Sequence, residues 1–103
     1  MVISKQNRIK LGYARVSTSE QTLDNQILEL KKIGILPENI YSDAGVSGTV
    51  PAKKRKGFKQ AYDRILKGEA EELHIFELSR LGRTSSESIL LFIEIEQMGT
   101  RIK

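Results

Sequence analysis

Three stretches of the chain have the length and pattern of β-strands. In residues 8–15, the apolar Ile9, Leu11 and Tyr13 alternate with polar or small residues, which predicts a strand. Residues 40–42 and 72–78 are short apolar-rich runs and predict two more strands. A further extended segment is predicted to begin at residues 101–103.

Three longer stretches have apolar residues at helical spacing. In the first, Leu23, Ile27 and Leu30 recur every three or four residues. A second helix is predicted from residue 58 to residue 66. A third is predicted over residues 88–98, where the broad apolar surface indicates deep burial. Each predicted helix is followed by a glycine that is a natural stop: Gly34, Gly68 and Gly99.

The alternation of strands and helices predicts the α/β fold class, as a three-layer αβα arrangement with a mainly parallel sheet in one domain, residues 1–103. In such folds, ligands bind beyond the carboxyl ends of the strands. That rule selects three segments, residues 15–21, 43–56 and 79–84. Residues 43–57 hold glycines, a proline and no apolar period, and we predict a long mobile loop there.

Charge is unevenly distributed along the 103 residues. The net charge is +4, from 17 basic and 13 acidic residues. Five of the cations lie in a basic run at residues 53–59, and without them twelve basic residues would face thirteen acidic ones. A local positive patch is typical of a protein that binds a polyanion, although a solvated charged loop is an equal alternative on this feature alone. The members of the basic run are Lys53, Lys54, Arg55, Lys56 and Lys59.

Composition excludes several kinds of site. The chain has no cysteine and a single histidine, so disulfides, thiolate metal sites and histidine-rich metal sites are ruled out within it. The sequence also has no membrane-spanning apolar run and no secretory signal, so we expect a cytoplasmic protein without membrane contact. No metal and no cofactor are expected.

Each of the three selected segments contains at least one arginine and one serine. Guanidinium groups that converge from separate loops make a site for a phosphate, and a serine hydroxyl among them can act as a nucleophile. Ser17 has a simpler alternative as a helix N-cap, and His74 fits a packed strand residue better than a general base. The candidates for phosphate chemistry are Arg15, Ser17, Arg55, Arg80 and Arg83.

Four ordered motifs resemble those of the serine recombinases, the resolvase and invertase family. They are Y-A-R-V-S-T-S-E-Q with L-D-N-Q at residues 23–26, then Y-S-D-A-G-V-S-G, K-R-K-G-F and L-S-R-L-G-R-T. The resemblance covers the chain from about Lys10 onward and implies a resolvase-like catalytic domain. Such a domain acts in site-specific recombination by cleaving and rejoining double-stranded DNA, without metal or nucleotide.

The resemblance also implies roles for individual residues. Ser17 matches the nucleophile that forms a covalent 5′-phosphoserine, and the four arginines named above match the catalytic arginines. Lys53, Lys54, Lys56 and Lys59 are the expected DNA contacts. Supporting positions match Tyr13, Gln26, Asp43 and Ser47.

Two departures from the family pattern leave an alternative open. Glu77 and Ser79 stand where many members have Lys and Asp in a K-L-D-R motif. The sequence also stops before the rest of the catalytic domain, the dimerisation helix and the DNA-binding region that the family has. We therefore expect a fragment of a nucleoid-associated enzyme that forms a homodimer and a synaptic tetramer at full length. The alternatives are a degenerate DNA-binding or regulatory remnant of a mobile element and, more weakly, an α/β interaction module.

Overall fold

The computed structural model describes residues 8–16, 20–46, 50–75 and 85–103, in which strands and helices alternate. Two short 3₁₀ turns lie at Pro37–Asn39 and Ala52–Lys54. The strands and helices are β1 (Ile9–Val16), α1 (Glu20–Lys32), β2 (Ile40–Ala44), α2 (Lys56–Leu66), β3 (Ala70–Ile75), α3 (Ser85–Gln97) and β4 (Arg101–Ile102).

The described strands form one parallel sheet in the order β2-β1-β3-β4. The chain moves from β1 to one side for β2 and then to the other side for β3 and β4. Right-handed crossovers therefore place α1 on one face of the sheet and α2 and α3 on the other. The predicted α/β class, the three layers and the parallel sheet are confirmed.

The alternation in β1 divides the core into two clusters. Leu11 and Tyr13 point to the face covered by α2 and α3, whereas Ala14 and Val16 point to α1. Phe58, Ala61 and Ile65 of α2 and Leu91 and Ile95 of α3 complete the first cluster. The second cluster is completed by Leu23 and Leu30 of α1 and by Ile35.

The prediction that α3 is deeply buried is wrong. Leu91 and Ile95 are buried, but Ile89, Leu90 and Ile93 are 48%, 68% and 45% exposed. A helix on a sheet buries one stripe of its surface, and α3 has apolar residues on a second stripe that faces outward. We call Ile89, Leu90 and Ile93 the exposed α3 stripe.

The segment predicted as one long loop is shorter in the described residues. β2 continues to Ala44, a 3₁₀ turn occupies Ala52–Lys54, and α2 begins at Lys56. The apolar period of the sequence starts only at Phe58, so the polar first turn of α2 has no helical pattern that would separate it from a loop. None of the helices in the described ranges combines the length and the apolar character that a membrane span requires.

Candidate active site

The described residues include five of the nine residues to which the sequence assigns a catalytic or supporting role. These five lie on β1, α1, β2 and at the start of α2, and contacts link them near the carboxyl ends of β1 and β2. The other four, Ser17, Ser47, Arg80 and Arg83, lie outside the described residues, as do Glu77 and Ser79. The described five are Tyr13, Arg15, Gln26, Asp43 and Arg55.

Arg15 lies at the carboxyl end of β1, beside Asp43 of β2. The two residues are partners in the parallel register, so their side chains emerge on the same face of the sheet. The Arg15 guanidinium donates to the carbonyl oxygen of Val46 at 2.7 Å, just beyond β2. On α1, the buried Gln26 donates from Nε2 to the carbonyl oxygen of Arg15 at 3.3 Å. Arg15 therefore joins the two strand ends, and residue 17 follows it by two positions.

Asp43 is a buried carboxylate that holds the first turn of α2. Its Oδ1 accepts from the backbone N–H of Gly57 at 2.8 Å, and its Oδ2 accepts from the N–H of Phe58 at 3.1 Å. The first N–H groups of a helix have no partner within it, and a carboxylate there also interacts well with the helix dipole. The N-cap residue Arg55 makes no side-chain hydrogen bond to the first turn of α2. Asp43, which belongs to β2, provides that cap instead.

The Tyr13 hydroxyl lies between Asp43 and Arg55. It donates to Asp43 Oδ2 at 2.8 Å and accepts from Arg55 Nη1 at 3.4 Å. Burial raises the pKa of the Tyr13 phenol far above its ordinary value, against the opposing effect of Arg55. The hydroxyl therefore stays protonated. Its two hydrogen bonds link the buried Arg55 guanidinium to the buried Asp43 carboxylate.

Arg55 is placed differently from the sequence prediction. The sequence predicts a mobile loop at this position, yet the Arg55 side chain is 1% exposed, and its Nε donates to the carbonyl oxygen of Val50 at 2.9 Å. The reason is that the Tyr13 hydroxyl and the Val50 carbonyl oxygen supply polar partners inside the fold, and a guanidinium can be buried only with such partners. We call Tyr13, Asp43 and Arg55 the buried polar hub.

Gly57 is a site residue that sequence reasoning did not find. A Cβ built on it would lie 2.2 Å from the Ser42 carbonyl oxygen and 2.9 Å from Asp43 Oδ2. Only glycine lets the first turn of α2 approach β2 closely enough for the Asp43 hydrogen bonds. The K-R-K-G-F motif contained this glycine, but the approach to Ser42 is a tertiary contact with no local signal.

The lysines of the basic run are exposed but are not alike. Lys54, Lys56 and Lys59 present their ammonium groups on the surface near the start of α2. Lys53 lies 2.8 Å from the carboxylate of Glu94 on α3. The sequence did not indicate this ion pair, because its partners are 41 positions apart.

His74 lies in β3, as predicted, with its ring nitrogen Nε2 2.8 Å from Glu72 Oε1. That contact lowers the pKa of the Glu72 carboxyl, against the opposing effect of burial. In the part of the chain that the structure describes, no group of three or more histidine, aspartate or glutamate side chains is arranged to hold a metal ion.

Comparison with known proteins gives consistent matches. The sequence model described as "Resolvase, N terminal domain" matches residues 10–103. A resolvase/recombinase of Pseudomonas putida is 38% identical over 92 residues, 89% of this chain and 48% of that protein. The transposon Tn3 resolvase of Escherichia coli is 35% identical over 89% of this chain and 47% of that protein. The chain therefore spans about half the length of these curated relatives.

Solved structures agree with the sequence matches. The crystal structure of a serine recombinase from Sulfolobus solfataricus superposes with a TM-score of 0.73 at 31% identity. That match covers 92% of this chain and 66% of the other.

Proposed function

Because the chain belongs to the resolvase N-terminal domain family, we propose that it is a catalytic domain for site-specific recombination of double-stranded DNA. The observation that carries the proposal is the linked group of Arg15 and the buried polar hub, at the sheet edge where parallel α/β folds bind ligands. Within this group, Arg15 lies two positions before residue 17 in the chain.

In the proposed reaction, the Ser17 hydroxyl oxygen attacks a DNA phosphorus. A bond forms between that oxygen and phosphorus, and the bond from phosphorus to the 3′ oxygen breaks. The serine proton is lost, and the leaving 3′ oxygen gains a proton to become a hydroxyl. The products are a 5′-phosphoserine and a free 3′ hydroxyl, and attack by a 3′ hydroxyl reverses the step without any cofactor.

Arg15, Arg55, Arg80 and Arg83 are proposed to stabilise the negative charge on the phosphoryl oxygens in the transition state. Arg15 already lies at the carboxyl end of β1. Arg55 is buried, so direct contact of its guanidinium with a phosphate requires its cover, including Val50, to move when DNA binds. Tyr13, Asp43, Gln26 and Ser47 are proposed as supporting residues.

The basic run is proposed to contact the DNA backbone. Lys54, Lys56 and Lys59 are exposed close to the start of α2, and lysines in such a patch bind phosphates without reading sequence. Lys53, which the sequence assigns to the same set, differs from these three because its ammonium group is already paired with Glu94. Association of the protein with the nucleoid would follow from this affinity.

Assembly into a homodimer and then a synaptic tetramer is also proposed. The exposed α3 stripe supports it, because three neighbouring apolar side chains on one helix face are typical of a surface that packs against a partner. Light scattering on the intact protein tests this part: Leu90→Glu should shift it to a smaller species, and Leu28→Glu, at an exposed leucine of α1, should not.

The covalent intermediate tests the main proposal. The intact protein is incubated with a linearised, end-labelled plasmid that carries two copies of the DNA flanking its gene. The products are separated under denaturing conditions. We expect protein on the 5′ phosphate, free 3′ hydroxyls and no effect of EDTA. Ser17→Ala should bind DNA normally and give no adduct. DNA binding by the wild type with no adduct would instead favour the degenerate remnant, and metal-dependent cleavage without an adduct would refute the mechanism.

A further inference from the structure

Lys53, Tyr62 and Glu94 form a cluster, which we call the latch, that joins three elements of the fold. The Lys53 ammonium lies 2.8 Å from the Glu94 carboxylate and 5.0 Å from the centroid of the Tyr62 ring. The Tyr62 hydroxyl donates to Glu94 Oε1 at 2.8 Å. The Glu94 carboxylate therefore joins the Ala52–Lys54 turn, α2 and α3.

The latch lies two residues from Arg55 along a tight turn. The N–H of Lys54 donates to the carbonyl oxygen of Pro51 at 2.9 Å, and the N–H of Arg55 donates to that of Ala52 at 3.0 Å. Ala52 is buried in the core cluster beneath α2 and α3. A turn held by these bonds moves as a unit, so a displacement of Lys53 carries the backbone of Arg55 with it.

α3 is the helix that follows the segment containing Arg80 and Arg83, and Glu94 is its tenth residue. The latch therefore connects the turn before one proposed catalytic arginine with the helix after two others. We propose that Lys53 is a positioning residue, which through Glu94 and Tyr62 fixes the Arg55 turn against α3. This inference rests on the proposed function, since it concerns the placement of Arg55 in that reaction.

The opposing interpretation is that Lys53 is another phosphate contact. Against it, the hydrogen bond with Glu94 raises the pKa of the Lys53 ammonium, and the same bond lowers the pKa of the Glu94 carboxyl. Both groups are thus charged at neutral pH, and a phosphate must compete with a carboxylate already in place. The two interpretations differ in the effect that Glu94→Gln should have on DNA affinity: no change if Lys53 is a positioning residue, and tighter binding if Lys53 is a phosphate contact.

The test uses Glu94→Gln, which removes the charge and keeps an oxygen that can accept from Tyr62. Glu38→Gln is its matched control, because Glu38 is exposed in the 3₁₀ turn before β2, at the opposite edge of the sheet. Lys53→Met is compared with Lys67→Met, an exposed lysine just after the far end of α2. Lys53→Arg is the conservative variant that should restore function.

Three quantities are measured on the intact protein: affinity for a short duplex of arbitrary sequence, single-turnover adduct formation at saturating DNA, and hydrogen exchange at Lys54 and Arg55. We expect Glu94→Gln and Lys53→Met each to slow adduct formation about three- to tenfold, the scale of coupling through packed neighbours. They should also raise exchange at both amides, and Glu94→Gln should leave affinity equal to that of Glu38→Gln. The protein that carries both Glu94→Gln and Lys53→Met should form adduct about as slowly as either single variant. Lys53→Arg should form adduct at nearly the wild-type rate.

Two results would overturn the inference. One is a Glu94→Gln protein that binds DNA more tightly than Glu38→Gln and forms adduct at the wild-type rate, which is the phosphate-contact outcome. The other is unchanged exchange at Lys54 and Arg55 in both latch variants. If the wild type forms no adduct, that result refutes the proposed recombinase function but not the latch. The hydrogen-exchange and affinity data then still decide whether the latch holds the turn.

Discussion

Replacing Gly57 by alanine should destabilise the protein, although helix propensity alone predicts the reverse. Gly57 is the second residue of α2, and alanine is preferred to glycine within helices by about 1 kcal/mol. The structure opposes this preference, because a Cβ at this position would lie 2.2 Å from a backbone oxygen of β2, where ordinary contact begins at 3.4 Å. The obstacle is the backbone at Ser42, which cannot rotate away as a side chain could.

The size of the effect follows from what must move. Relieving the contact requires the first turn of α2 to retreat by the difference between 3.4 and 2.2 Å, which is about 1.2 Å. That retreat stretches the bonds from the N–H groups of Gly57 and Phe58 to Asp43 beyond hydrogen-bonding range. Each bond to a charged group contributes about 1.5–3 kcal/mol. After the gain in propensity is subtracted, we expect a net loss of about 2–5 kcal/mol in the free energy of unfolding.

Urea unfolding followed by circular dichroism measures this loss as a lower midpoint at constant slope. Gly68→Ala is the control, since Gly68 has a φ of 77° and open space around its Cβ position. Only the left-handed backbone conformation of Gly68 opposes this substitution, so Gly68→Ala should lower the free energy of unfolding by about 1–2 kcal/mol. If Gly57→Ala is as stable as the wild type, or is more stable by the propensity difference, the close approach of α2 to β2 is wrong.

Three further predictions concern the hub, the basic run and the latch. Tyr13→Phe should lower the free energy of unfolding by about 1–3 kcal/mol, measured by urea unfolding, because it leaves a buried carboxylate and a buried guanidinium one partner short; an unchanged stability would contradict the hub. Lys54→Ala combined with Lys56→Ala should weaken DNA binding equally on all sequences and flatten the dependence of log affinity on log salt, measured by fluorescence anisotropy; a loss confined to one sequence would contradict backbone contact. The Glu94 pKa is lowered by folding, so its stabilisation is present above its ordinary pKa and is lost as pH falls through the lowered value. The difference in unfolding free energy between wild type and Glu94→Gln should therefore be at most about 1 kcal/mol at neutral pH, since the pair is partly exposed, and should vanish in acid.

The order of the elements could be predicted from the sequence because it depends on local periodicity. Alternation in residues 9–13 and helical spacing from Leu23 to Leu30 are properties of neighbouring positions, and the structure has both elements. The direction in which α3 presents its residues could not be predicted in this way. Its apolar residues cover more than one face, and only the position of the sheet decides that Leu91 is buried while Leu90 is exposed.

The burial of Arg55 could not be predicted, for a related reason. A run of five cations with one glycine and one phenylalanine has the composition of an exposed loop. The guanidinium is inside because Tyr13, 42 positions earlier, offers it a hydroxyl. The sequence located Arg15 and Asp43 at the carboxyl ends of predicted strands, and the structure has them at the ends of β1 and β2, but the contacts that connect the described candidates are all tertiary.

These contacts explain the spacing within three of the motifs that carried the family resemblance. In Y-A-R, Tyr13 and Arg15 are two apart, so both face α2 while Ala14 between them packs towards α1. In Y-S-D, Asp43 ends up beside Arg15 through the parallel register and reaches the Tyr13 hydroxyl. In K-G-F, the glycine lets the helix start lie against β2.

Phe58, the last residue of K-G-F, completes this unit. Its N–H donates to Asp43, and its ring packs edge-on against that of Tyr13, with ring centroids 5.1 Å apart. The three motifs are far apart in the chain but form one packed unit, in which each supplies a group that another needs: a hydroxyl, a carboxylate and two backbone N–H groups. The unit fixes the end of β1, and therefore the starting point of the segment that contains Ser17. Within this unit, Tyr13, Asp43 and Phe58 support the proposed reaction without touching the DNA themselves.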